Sequence, residues 1–423
     1  MCDTMVKIQE SGIIFGKNSD RSPNEPNLTL FYPAQTPKDR KQKCTYITVE
    51  QPKKTHPVLL VSPSWMWGAE MGINDRGVII GNEAVFTHSK DKKTERLTGM
   101  DMLRLALETA DDAKTAKDVI LQLLDKYGQG GNCGFDKPFY YDNSFLISDK
   151  NEAFILETSG KEWIIKPVVN QGNISNRLSI IDSPMVSNQP EDGFSHHHTE
   201  PVFTYFSGSL IRQNQAKSHL ESTGSFDVLA MMNILQSHRE EDIPHLFRKG
   251  SVQSVCMHKS FLGDHTTGSM IVESRKTIDT IWITGCSTPC LSLYKPVYFG
   301  VTVSPVFINR QACFEYWLER EYLVRAIFAG LIDQKAYQTQ LNALQKDFIE
   351  GDRQLFLSGP TPVQLQEYAL KCSRAEQAFV DQYQNEITSV QAGKAKMSPL
   401  WKKLNFRLGK DVFSPLLATR KGK

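Results

Sequence analysis

A cysteine stands at position 2, directly behind Met1, in MCDTMVKIQESGIIFGKNSDRSP. Cysteine is small enough that an initiator methionine before it is ordinarily removed. Cys2 would then carry a thiol and a free α-amine on one residue. A thiol must become thiolate to attack a carbonyl carbon. An α-amine titrates at about 7.7–8.0, so near neutral pH it can take the thiol proton without a separate histidine. N-terminal threonine nucleophiles use the same logic. With Met1 attached, the nitrogen is an amide and cannot be the base.

Other polar residues could complete such a site. Lys17, Asn18 and Asp20 follow in FGKNSDR, at the end of a second strand. A hairpin would fold that strand end back beside Cys2. Asp20 could orient the α-amine, and Lys17 could lower the thiol pKa or hold a substrate carboxylate. Asn82 and Glu83 end an apolar strand, where an amide could hydrogen-bond an oxyanion. In Trp65-Met66-Trp67-Gly68, Trp67 is a candidate wall of a substrate pocket, with plain packing as the alternative.

Weaker candidates lie further along. Cys133 sits in the glycine-rich YGQGGNCG, which ends a helix and lacks a phosphate-loop pattern. Cys256 and His258 are two residues apart, which on a strand puts both on one face. His196-His197-His198 could ligate a metal, but their surroundings read as an exposed loop. The eight cysteines are dispersed and include no C-x-x-C pair. They read as mostly free thiols, and a zinc site of the usual spacing is not expected.

Composition narrows the class. The chain has 423 residues, 40% apolar and 23% charged, with a formal net charge of +2. That balance gives no argument for nucleic acid or an acidic partner. No apolar run reaches membrane-spanning length, and the N-terminus lacks signal-peptide regions. A cytoplasmic location is therefore expected. Neither a monomer nor a homo-oligomer is fixed by the sequence.

These residues need strands to position them. Short apolar runs from TMVKIQ to TIDTIWITG, SVQSVCMH among them, read as strands separated by turn signals such as Asn74-Asp75-Arg76-Gly77. Two helices interrupt them, divided at Asp111-Asp112 and stopped by Gly128. The pattern predicts an α+β layered fold over residues 2–305. Residues 306–393 read as helices packed on it, with Tyr337, Leu341, Leu344 and Phe348 on one face. Thr361-Pro362-Val363-Gln364 is a helix start. Residues 394–423 form a basic, proline-broken tail, solvated or laid over the domain.

Taken together, several stretches resemble the secernin family, a cysteine dipeptidase branch of the N-terminal nucleophile hydrolases. They include CDTMV (2–6), GKNSDR (16–21), WMWGAEMGIN (65–74), YGQGGNC (127–133), NISNRLSI (173–180), SVCMH (254–258) and LYKPVYF (293–299). The likeness covers roughly residues 2–330. It implies a four-layer αββα sandwich with Cys2 at a strand end, and hydrolysis of dipeptides or similar small amides. It also implies Asp20 as partner of the α-amine, Asn176 as an oxyanion donor, and no metal or organic cofactor. Related acylases carry Arg where Lys17 stands, which weakens bidentate carboxylate binding here. Two rivals remain: an acylase acting on other amides, and a non-catalytic interaction protein of the kind associated with regulated secretion.

Overall fold

The computed structural model describes residues 1–423 apart from 184, 187–192, 222–224, 262, 302–303 and 419–423. The end of the basic tail thus lies outside the described residues. The chain opens on an antiparallel hairpin of β1 (Cys2–Gln9) and β2 (Gly12–Arg21), with Cys2 opposite Ser19. Gly12 sits at φ +138°, and a Cβ there would meet the Ser274 carbonyl oxygen at 2.4 Å. Only glycine suits that turn.

The strands β3 (Asn27–Tyr32), β4 (Lys41–Lys43), β5 (Thr48–Glu50), β6 (Val58–Pro63), β7 (Met71–Asn74) and β8 (Ile79–Val85) follow. Helices α1 (Gly99–Leu107) and α2 (Ala113–Tyr127) come next, Asp112 capping α2 and Gly128 ending it at φ +68°. Then come β9 (Asp142–Ser148), β10 (Ala153–Ser159), β11 (Glu162–Val168), β12 (Gln171–Ile174) and β13 (Met185–Val186). Four helices succeed them: α3 (Phe194–His198), α4 (Pro201–Phe206), α5 (Ser209–Leu220) and α6 (Val228–Leu235). β14 (His265–Glu273), β15 (Thr280–Ile283) and β16 (Lys295–Tyr298) complete the strands. The chain ends in α7 (Pro305–Ile308), α8 (Arg310–Phe328), α9 (Gln334–Leu357), α10 (Pro362–Asp381), α11 (Gln384–Gln391) and α12 (Pro399–Ala418).

Two antiparallel sheets result. One runs β12-β1-β2-β14-β15-β16 and the other β13-β11-β10-β9-β8-β7-β6-β3, with β4-β5 a separate hairpin. Strand alternation sorts their side chains. Val6, Ile13 and Phe15 of the first sheet meet Leu28, Leu59, Ile79 and Leu146 of the second in a shared inner core. Met5 and Ile14 turn the other way, against α5, α6 and α8–α11. Leu60, Ile80 and Ile147 turn outward from the second sheet, against α1 and α2. The fold is the expected α+β sandwich, with helices on both outer faces of two stacked sheets.

Two local expectations fail. SVQSVCMH forms no strand and keeps one isolated bridge, Ser251 to His258. The three histidines lie on the short helix α3, where Gly193 in the left-handed region starts a turn. No helix among the described residues is long and apolar enough to cross a membrane.

Packing is continuous across residue 305. Cys313, Phe314 and Trp317 of α8 join the inter-sheet core, while Leu323 and Val324 join the helix-covered face. In α12, Trp401 packs against Phe328 with ring centroids 4.7 Å apart, and the Leu404 carbonyl accepts from Asn24 Nδ2 at 3.0 Å.

A buried ion pair ties α10 to α8. Glu376 accepts from Arg320 Nε at 2.9 Å and Nη2 at 2.7 Å, with Lys295 Nζ at 3.6 Å. Burial works against the Glu376 charge, but Lys295 and Arg320 outweigh it and hold the carboxyl at about 2. Its folded pKa is thus below the unfolded value, so its stabilisation is present above about 4.5 and lost as pH falls through about 2. Glu376→Gln removes the buried counter-charge shared by Arg320 and Lys295 and leaves Arg320 only the partly exposed Glu319. Urea unfolding at pH 7 should show a loss of about 3–5 kcal/mol. The gap between parent and variant should narrow toward pH 3; a constant gap would remove the charge explanation.

Candidate active site

The end of the β1–β2 hairpin is polar on both faces. Cys2 and Thr4 on β1, with Lys17, Ser19 and Arg21 on β2, are in phase with Val6 and Phe15 and so face the second sheet. All are buried. Glu83 of β8, Glu70 just before β7, and Glu25 supply the opposing acids. Lys17 Nζ pairs with Glu83 Oε1 at 2.9 Å, and Thr4 Oγ1 donates to the same oxygen. Arg21 reaches Glu25 Oε1 at 2.6 Å and Glu70 Oε1 at 2.8 Å. Gly81 leaves room here, since a Cβ would lie 2.7 Å from Lys17 Cδ.

The Cys2 thiol sits inside this layer and donates to Glu70 Oε2 at 3.5 Å. Burial pushes it up to about 12, with Lys17 pulling it down and Glu70 pushing it up. Burial also opposes the Lys17 charge, but Cys2, Glu83 and Glu70 outweigh it and keep that ammonium above its ordinary range. On Glu83 burial wins over Lys17 and pushes the carboxyl up to about 7. The thiol is therefore protonated near neutral pH, and attack requires a base beside it.

The backbone nitrogen of Cys2 is also held. It donates to Asn176 Oδ1 at 2.8 Å. Asn176 follows β12, the neighbour of β1, and its Oδ1 accepts a second bond from Arg212 Nη2 at 2.6 Å. Arg212 of α5 pairs with Asp3 at 2.7 Å. The Met1 ammonium lies beyond, 2.9 Å from Asp264 Oδ2 and 2.6 Å from the Asp20 carbonyl oxygen. The Asp20 amide donates to the Met1 carbonyl at 2.7 Å. Asp20 Oδ1 accepts from Thr266 Oγ1 at 2.6 Å, while its Oδ2 is buried without a hydrogen-bond partner. Burial pushes the Asp20 carboxyl up to about 7, against the pull of the nearby ammonium. For Asp264, burial is outweighed by that ammonium, and its carboxyl stays below the ordinary range.

Of the residues singled out in sequence, Cys2, Lys17, Asp20 and Asn176 gather here. Lys17 is committed to Glu83 and is not free for a substrate carboxylate. Asn176 presents its oxygen to the Cys2 nitrogen, and its Nδ2 donates to the Ala84 carbonyl at 3.0 Å. Its placement suits orientation of the Cys2 nitrogen, not the expected donation to an oxyanion. Asn18 points to the helix side and donates to the carbonyls of Leu235 and Val255 at 2.8 and 3.0 Å. Asn82 also misses: it faces α1 and donates to Asn143 Oδ1 at 2.7 Å, while its neighbour Glu83 points inward. Trp67 stacks on Arg104, 4.2 Å away, on the outer face of the second sheet. Trp65 is the tryptophan tied to this layer, donating to Glu25 Oε1 at 2.8 Å. Cys133 contributes its backbone carbonyl, which accepts from Arg21 Nη2 at 2.8 Å.

No family model matches the chain. Among solved structures, a mutant conjugated bile acid hydrolase from Clostridium perfringens aligns at 13% identity with a TM-score of 0.37, covering 66% of this chain and 88% of that one. An N-acylethanolamine-hydrolyzing acid amidase ortholog from Caenorhabditis elegans aligns at 12% identity and TM-score 0.36, covering 64% and 92%. Penicillin V acylase from Agrobacterium tumefaciens aligns at 10% identity and TM-score 0.34, covering 73% and 89%.

Glu70, Arg212, Asp264 and Thr266 escaped the sequence reading. Strand alternation from Lys17 would have favoured Glu83 over Asn82 once the sheets were known to face each other. For Arg212 and Asp264, far from Cys2 in sequence, no local signal exists.

Proposed function

We propose that the chain is a cysteine-dependent hydrolase of small amides, acting on dipeptides once Met1 is removed. In this reading Cys2 is the nucleophile and its α-amine the base. The liberated amine would stay on Asn176 Oδ1, with the unpartnered Asp20 Oδ2 as a second acceptor for its protons. The amine takes the thiol proton. The thiolate attacks the carbonyl carbon, forming a C–S bond and an oxyanion. Collapse breaks the C–N bond as the ammonium returns a proton to the leaving amine. Water then cleaves the thioester and releases the acid.

The observation that favours a dipeptide over other amides is the seat of the Met1 ammonium. Met1 on the Cys2 nitrogen is an isomer of an aminoacyl group on the Cys2 sulfur. Asp264 and the Asp20 carbonyl, freed of Met1, would accept the α-ammonium of a dipeptide's first residue. An acyl-amino acid has no charge to place there. About a third of the Asp264 side chain is exposed, which gives this end of the site an opening to solvent.

The test compares free and N-acetylated dipeptides on protein whose intact mass shows Met1 absent. Free dipeptides should be the better substrates. Asp264→Asn should lower their kcat/KM about 10–100-fold, the worth of a charge-assisted hydrogen bond, and leave N-acetyl substrates unchanged. Equal turnover of both classes by the parent would favour an acylase. No turnover of either, with Cys2 free, would favour the interaction-protein reading.

A further inference from the structure

Away from Cys2, on the helix-covered side of the first sheet, four side chains converge. They are His238, just after α6; Cys256 and His258, in the irregular segment before β14; and Cys290, in the short turn before β16. One potential ligand atom from each lies within 4.8 Å of every other. His258 Nε2 stands 3.1 Å from His238 Nε2, 3.7 Å from Cys256 Sγ and 3.4 Å from Cys290 Sγ.

We propose that these four residues form a structural zinc site. Tetrahedral zinc with bonds of about 2.0–2.1 Å to nitrogen and about 2.3 Å to sulfur sets ligand atoms about 3.3–3.8 Å apart. The three separations from His258 Nε2, 3.1, 3.7 and 3.4 Å, lie close to those edges, and the other pairs stay within 4.8 Å. Two thiolates and two imidazoles are a zinc-selective donor set, and four protein ligands leave no open position. The binding step is balanced: zinc displaces one proton from each thiol, and both imidazoles bind neutral.

The surroundings support this. Cys256 and His258 are fully buried, while His238 and Cys290 line a cavity of about 630 Å³ that gives an ion a way in. Phe247 and Phe328 pack 5.4 and 6.0 Å from the His258 ring and cover it on that side. His265, also near, is spent: Nδ1 accepts from the Lys259 amide at 3.3 Å, and Nε2 bonds Thr288 Oγ1 at 2.8 Å. His258 Nε2 alone faces three groups, and its Nδ1 finds no partner among the described residues. That Nδ1 lacks the outer acceptor usual for a zinc-bound histidine, so the two thiolates carry most of the affinity.

Such an ion would brace the proposed active site without joining it. The Met257 amide, between two ligands, donates to Thr266 Oγ1 at 2.9 Å, and Thr266 Oγ1 donates on to Asp20. Asn18 bonds the carbonyls of Leu235 and Val255, which lead into His238 and Cys256. The inference does not depend on the hydrolase reading.

The full chain, purified without an affinity tag that binds metal and without chelator from zinc-sufficient medium, should contain about one zinc per chain by mass spectrometric elemental analysis. Cys290→Ser, at a partly exposed position, should fall to about one-tenth of that. Cys2→Ala should keep all of it. Cobalt exchanged into the parent should give thiolate charge-transfer bands and the intense visible bands of tetrahedral coordination, a result independent of how any variant folds. Parent protein without zinc and without those cobalt bands overturns the proposal. So does unchanged zinc in Cys290→Ser, or a Cys256–Cys290 disulfide in peptide mass spectra of the native protein.

Discussion

Cys2→Ala should reduce dipeptide hydrolysis to the assay floor, a loss of about 10⁴-fold or more, in line with removal of other covalent nucleophiles. The fold should survive. Cys2 is 4% exposed and its sulfur makes one long hydrogen bond, to Glu70. Deleting it opens a small cavity worth about 1–2 kcal/mol and takes no charge from Lys17 or Arg21. Near-ultraviolet circular dichroism and the urea midpoint check the fold, and steady-state kinetics checks the loss. The comparison that isolates the chemistry is parent protein with Met1 retained. It keeps the sulfur but turns the base into an amide, and it should be nearly as inactive as Cys2→Ala. A Cys2→Ala protein hydrolysing dipeptides at the parent rate would end the nucleophile assignment.

Arg212→Met should give the second large effect, on stability and turnover together. The guanidinium spends all five donors: one on Asp3, two on the carbonyls of Ser207 and Val252, one on Ser175 and one on Asn176. Without it Asp3 stays buried with no counter-charge. Burial already raises the Asp3 pKa and Arg212 is the chief force against that. The expected loss is about 3–5 kcal/mol in urea unfolding. Asn176 also loses the bond that fixes its oxygen toward the Cys2 nitrogen, so kcat should fall further than KM changes. Adding Asp3→Leu separates the two effects. The double variant should regain part of the stability, since an apolar pair can replace a buried ion pair, while kcat stays low. Recovery of kcat together with stability would reduce Arg212 to scaffold.

The layered fold was legible because its signals are local. Alternating apolar runs, the Gly12 and Gly77 turns and the caps at Asp112 and Thr361 are each written within a few residues. The site was legible only in part. Cys2 and Asp20 lie on the first hairpin, whose pairing the sequence announces. Asn18 and Asn82 failed for one reason: a single strand does not say which of its faces meets the other sheet, and one step reverses every side chain. Asn18 is one residue from Lys17, and Asn82 one from Glu83. Trp67 failed for another reason: it lies in the turn between β6 and β7, where strand alternation gives no guide. The Cys/His cluster was hidden differently. Its ligands come from three separate segments between residues 238 and 290, so no short spacing pattern marks them. The strand expected at SVQSVCMH even gave Cys256 and His258 a bland explanation.

The buried Met1 amine has a consequence for timing. Its nitrogen is clamped between Asp264 and the Asp20 carbonyl, and its side chain is 9% exposed. The strand it leads into is zipped on both edges, to β12 on one side and β2 on the other. An aminopeptidase needs a free, extended chain end, and this one disappears when β1 docks. In the proposed hydrolase, removal of Met1 would therefore be a race against docking, run once, while the chain is still emerging or unfolded. A preparation made where the peptidase is outpaced should hold two populations that never interconvert in the folded state. Incubating it with fresh aminopeptidase should leave the ratio fixed, whereas unfolding it first and refolding with the peptidase present should convert the capped fraction.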